Sequence, residues 1–146
     1  MSARWSYDEP GRLHLQVDAS GVTTRLHAVA GGWVVRGGCV GGSVLWRRAA
    51  GTGEAVEGEA AALGFTGAHP AHDVAVALRL RLAVGESRRV RLVEVTEPVL
   101  ATRLVDRQWS RPAAGRWVVD DLATGERREV DPDTVVAGIR AMGWSG

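Results

Sequence analysis

Apolar and polar positions alternate with a period of two through much of this chain, and glycine-rich turn signals interrupt the alternation. Half-buried strands joined by tight turns produce that pattern. Leu13, Leu15 and Val17 alternate with His14 and Gln16, and after Asp18-Ala19-Ser20-Gly21 the segment 22–29 alternates again. Ser20-Gly21 suits a two-residue hairpin turn in which glycine supplies positive φ. A hairpin of residues 12–17 and 22–29 sets Leu15 opposite Leu26, His14 opposite His27 and Val17 opposite Thr24. Leu13, Leu15, Val17, Leu26 and Ala28 then share a core-facing side, and His14, Gln16, Arg25 and His27 share the other.

The glycine pairs at 31–32, 37–38 and 41–42 divide the next apolar pieces, which predicts short or strongly bent strands. Residues 52–59, acidic and glycine-containing, predict a mobile surface loop. Segments 90–95 and 100–109, separated by Thr96-Glu97-Pro98-Val99, suit another antiparallel pair. Its inward pattern slips between Leu92 and Val93, the mark of a bulge or of a strand covered on both faces. Segments 116–120 and 126–130 flank Ala123-Thr124-Gly125 as a last hairpin.

Two stretches fit more than one element. Val74, Val76, Leu78, Leu80 and Leu82 alternate strictly with alanines and arginines, a strand period, yet Pro70 and the helix-favouring Ala, Leu and Arg suit a short helix. In the tail, Val135, Val136, Ile139 and Met142 have helical spacing behind Asp131-Pro132-Asp133, while the β-branched run 134–136 suits a closing strand.

At 146 residues, with 45% hydrophobic and 24% charged, the chain reads as one globular domain spanning 1–146. No apolar run approaches the ~20 residues of a spanning helix and the N-terminal residues lack a signal-peptide core, so the expectation is a cytoplasmic protein without membrane insertion. All 18 basic residues are arginine, against 17 acidic ones, and a net charge of +1 provides no global field for nucleic acid. The single cysteine, Cys39, supports neither a disulfide framework nor a zinc pattern and reads as a reduced, buried filler.

Candidate chemistry is sparse. His69, His72 and Asp73 cluster in sequence, and His14 with His27 forms a cross-strand pair, but a zinc site needs three or four converging ligands. Neither a metal nor another cofactor is expected. No Gly-x-Ser-x-Gly elbow, phosphate-cradling Gly-x-x-x-x-Gly-Lys or Cys-x-x-Cys occurs. An enzymatic reading therefore rests on His69, His72 and Asp73 as acid/base groups. Six tryptophans against one phenylalanine and one tyrosine are unusual, and Trp33, Trp46, Trp109 and Trp117 fall in strands, where such rings either fill a core or line a cavity.

Leu63-Gly64-Phe65-Thr66, then Leu82-Ala83-Val84-Gly85-Glu86-Ser87, Arg89-Val90-Arg91, Val99-Leu100 and Gln108-Trp109-Ser110-Arg111 resemble a bacterial glycolipid-binding family over residues 63–120. Where that family continues through Asn-Thr-Leu-Pro-Ile-Arg, this chain has Ala68-His69-Pro70-Ala71-His72-Asp73-Val74-Ala75-Val76. The resemblance implies a mainly β fold: a strongly curved antiparallel meander, a half-barrel like that of periplasmic lipoprotein carriers, with a short helical segment covering the concave face. It favours a helix over residues 70–80 and a terminal strand or turn after Asp133.

The function expected is non-enzymatic binding of an apolar or glycolipid-like small molecule in the groove of the sheet. Trp46, Phe65, Trp109 and Trp117 are expected to line the groove and His69, His72 and Asp73 to form its polar mouth. The partner would then be a lipid or other apolar molecule. A homo-oligomer joined through an exposed apolar face is the remaining alternative.

Overall fold

The computed structural model describes residues 5–141, apart from the side chains of residues 136, 139 and 141. Among these residues the fold is mainly β, with two antiparallel-rich sheets, neither closed into a barrel, and two helices. The first sheet is a meander in chain order: β1 (Trp5–Glu9), β2 (Leu13–Val17), β3 (Thr23–Ala30), β4 (Trp33–Val40), β5 (Ser43–Ala50) and β6 (Ala55–Ala61). Then come β7 (Gly64–Thr66), helix α1 (Pro70–Leu80), β8 (Ser87–Thr96), β9 (Ala101–Ala113), β10 (Arg116–Asp121), β11 (Arg127–Val130) and helix α2 (Pro132–Ala141). The second sheet runs β11-β10-β9-β8-β7, and β7 lies parallel to β8 because α1 carries the chain across between them.

The β2–β3 hairpin pairs Leu15 with Leu26 and His14 with His27, with Leu13, Leu15, Val17, Leu26 and Ala28 all buried. A bulge after Gln16 sets Val17 opposite Thr23 rather than Thr24. The β4 and β5 strands are longer than the glycine punctuation predicts, because Gly37 and Gly38 continue β4 instead of ending it. Their role is close approach: a Cβ on Gly37 would lie 2.7 Å from the Phe65 ring, and one on Gly38 2.5 Å from the Thr24 carbonyl.

Residues 52–59 are not a loop throughout. From Ala55 they form β6, an edge strand whose Glu57 and Glu59 are exposed, and charge is a common protection for an unpaired sheet edge. In β8, Leu92 and Val93 are both buried in an unbroken register with β9, so the strand is covered on both faces and has no bulge there. Cys39 is half-buried rather than buried; its thiol lies 3.7 Å from the Leu63 carbonyl, and burial pushes its pKa up to about 11.

Helix α1 resolves the ambiguity of the central stretch. Nine of its eleven residues are buried, so alternation there is between large and small side chains inside the core and not between inside and outside. Val74, Val76, Leu78 and Leu80 pack with Val90, Leu92, Trp109, Trp117 and Val119 of the second sheet, while Ala71 joins the cluster formed by Leu13, Leu15, Leu26, Val35 and Val44. A helix apolar on all sides belongs in an interior, and α1 accordingly plugs the space between the sheets. His69 caps its start, and Arg81 closes its end in a left-handed conformation with φ 47°.

The tail also departs from expectation: residues after Asp133 form α2, with Val135 fully buried in the α1 cluster. Asp131 sets this up by accepting from the Asp133 amide at 3.0 Å and the Thr134 hydroxyl at 3.1 Å. Met142 lies outside the described residues. No helix among the described residues is long and apolar enough to cross a membrane.

Candidate functional site

The connection from β7 to α1, residues 66–70, borders three separate depressions. On one side lies an apolar groove of about 480 Å³ between β1, the first turns of α1, and α2. It is lined by Trp5, Tyr7, Pro70, Ala71, Val74 and Gly138, among others. That volume is in the range of small-molecule sites. The groove exists because Trp5 and Tyr7, two apart on a strand, project from the same face toward the helices. It is deepened at Gly138, where any side chain would collide with Val74 Cγ1.

Its polar end is built by His69. As the N-cap of α1, His69 accepts the Ala71 amide at Nδ1, 3.0 Å. Its Nε2 lies 3.0 Å from the Tyr7 hydroxyl, and the two rings stand 4.7 Å apart at 48°. Glu9, next on the same face of β1, brings Oε2 to 3.9 Å from His69 Nε2 and 3.5 Å from Arg12 Nε. That oxygen is shielded from solvent and makes no hydrogen bond.

Of the three residues expected at a polar mouth, only His69 lines this groove. His72 points the other way, into a cavity of about 30 Å³ bounded by Leu13, Ala28, Val95 and Leu100, room for a single water. It is 5% exposed and its Nδ1 has no hydrogen-bond partner. Burial, reinforced by the neighbouring His69, lowers its pKa to about 4. Asp73 faces β11, where both its oxygens accept from Arg128 at 2.8 Å. The three side chains do not converge, so the arrangement offers no shared acid/base centre.

The third depression, of about 390 Å³, lies beside Thr66 and Gly67 and is lined by Glu94, Glu97, Arg107 and Arg128. Its charges are already paired: Arg107 reaches Glu94 at 3.0 Å and Asp121 at 3.3 Å, Arg103 reaches Glu94 at 2.7 Å, Arg12 reaches Glu97 at 3.5 Å, and Arg128 is held by Asp73. Among the described residues no group of three His, Cys, Asp or Glu side chains is placed to hold a metal ion. His14 and His27 face each other across β2 and β3, with His14 also 3.3 Å from Asp8. Burial and the nearby Arg36 and Arg25 lower the pKa of His27.

Of the aromatic residues expected to line a groove, Phe65, Trp109 and Trp117 are buried in the core, and Trp46 borders an open depression on β4 and β5. Trp109 and Trp117, each 1% exposed, meet edge to face with centroids 6.2 Å apart and fill the core beneath α1. Phe65 is buried between Gly37 and the cluster around Val93. Trp46 is half-buried and lies across Gly58, its partner on β6. The groove-lining residues that sequence reasoning passed over are Trp5, Tyr7, Val74, Ala137 and Gly138. The one local signal for them was the Trp5-x-Tyr7-x-Glu9 alternation near the N-terminus.

The sequence matches no family model and no curated protein. Among solved structures, the chain is similar to the crystal structure of a DUF1089 family protein from Pseudomonas aeruginosa, with a TM-score of 0.52 over 89% of this chain and 85% of that one. At 13% identity the likeness is one of fold.

Proposed function

We propose that the protein binds, without transforming it, an apolar or glycolipid-like small molecule, and that the binding site is the groove between β1, α1 and α2. The observation that carries this reading is the composition of that groove: a wall of Trp5, Pro70, Ala71, Val74, Ala137 and Gly138, ending at the Tyr7–His69 pair. Apolar walls with a few convergent polar groups suit a molecule with a hydrocarbon part and a small polar part. The site differs from the groove expected within the sheet, since α1 fills the space between the sheets.

Organic extraction of the purified protein, followed by mass analysis, tests the reading. A stoichiometric lipid-like compound supports it. Extracts without such a compound, from protein that also fails to take one up on incubation with total lipid, count against it. The native mass of the same preparation reports on the homo-oligomer alternative.

A further inference from the structure

The hydrogen bonds around His69 dictate which way the Tyr7 hydroxyl works. His69 Nδ1 accepts the Ala71 amide, so in the neutral ring the proton sits on Nε2. Nε2–H is then the donor in the 3.0 Å contact, and the Tyr7 oxygen is the acceptor. The Tyr7 hydroxyl proton is left to point elsewhere, and among the described residues no acceptor receives it. Both rings line the groove. Beside them the shielded Glu9 Oε2 is a hydrogen-bond acceptor that lacks a donor.

We infer that Tyr7 is the specificity-determining donor of the groove, oriented by His69. The ligand it selects is an uncharged single-chain amphiphile whose first head atom accepts a hydrogen bond. This rests on the groove being the binding site. Glu9 does not line the groove, but its carboxylate stands 3.9 Å from His69 Nε2, with Arg12 3.5 Å from the same oxygen, and a negative charge behind the polar end disfavours an ionised carboxylate head. A head without an acceptor atom would leave the Tyr7 proton unpaired on closure of the site, which is costly. An ether, ester or hydroxyl oxygen satisfies Tyr7.

Titration calorimetry with three probes of equal chain length, each below its micellar concentration, tests the inference: octyl glucoside, octanoate and octyltrimethylammonium. Wild-type protein is expected to bind octyl glucoside most tightly. Tyr7→Phe should weaken that binding roughly fivefold and leave octyltrimethylammonium unchanged. His69→Asn, which keeps a capping side chain, should weaken octyl glucoside binding alone while circular dichroism stays native, as expected of a positioning residue. Equal binding of all three probes by wild type and Tyr7→Phe overturns the inference and leaves the groove reading standing. Binding of none of them overturns both.

Discussion

Arg128 forks onto Asp73, donating from both terminal nitrogens at 2.8 Å, and so ties the first turn of α1 to β11. Donating these hydrogen bonds to Asp73 raises the Arg128 pKa. The Asp73 side chain is 12% exposed, whereas Arg128 is half open to water. Removing the arginine leaves a nearly buried carboxylate without its donors. Arg128→Ala should therefore destabilise the fold by about 1–3 kcal/mol, and Arg128→Lys should recover only part, because an ammonium cannot fork. Urea midpoints at neutral pH measure both.

Acid should weaken the fold through His72. Its pKa falls from the ordinary 6.5 to about 4 in the folded chain, with burial the main cause. Between those values the unfolded chain binds the additional proton, so stability is complete above pH 6.5 and falls as pH drops toward 4. The loss over that window is about 3 kcal/mol. Carboxylates contribute their own acid dependence, so the measurement compares wild type with His72→Leu. The variant should have a flatter profile of unfolding free energy between pH 7 and 4.

Close contact between the helices sets the depth of the groove. A methyl group on Gly138 would fall on Val74 Cγ1, so Gly138→Ala should cost about 1–3 kcal/mol by forcing α2 off α1. Val74→Ala in the same chain makes room. The double variant should be more stable than the sum of the two single changes, a coupling that a thermodynamic cycle reads directly.

Arg48 joins the two sheets through the β8–β9 turn. It donates to the Val99 carbonyl at 2.8 Å and the Leu100 carbonyl at 3.0 Å, and its guanidinium lies 3.5 Å over the Trp33 ring. Arg48→Met should lower stability by about 1–3 kcal/mol. Hydrogen exchange should show faster opening at residues 97–101 than in wild type.

Much of the meander was legible because its information is local. Leu13, Leu15 and Val17 alternate with polar neighbours and the β2–β3 hairpin carries its own turn residues, so there only the bulge at Thr24 escaped. The errors came where burial depends on distant segments. Ala75 and Ala77 look like the outward half of a strand until β8 to β10 cover them. Glu57 and Glu59 read as loop residues, although charge also suits an edge strand. For the site, His69 stood out as a histidine, but its part as helix cap and partner of Tyr7 depends on a contact 62 residues away in sequence. The tryptophans were the conspicuous aromatics, and the most buried of them, Trp109 and Trp117, serve packing.

The groove itself is tested most directly by native mass spectrometry of wild type beside Ala137→Trp. Ala137 is exposed and lines the groove, so an indole there fills the space without touching the core. Wild type should carry the added mass of a lipid-like molecule, released by organic solvent, and Ala137→Trp of native circular dichroism should carry none. A wild-type spectrum at the bare polypeptide mass after incubation with total lipid, or equal occupancy in the variant, would contradict binding in this groove.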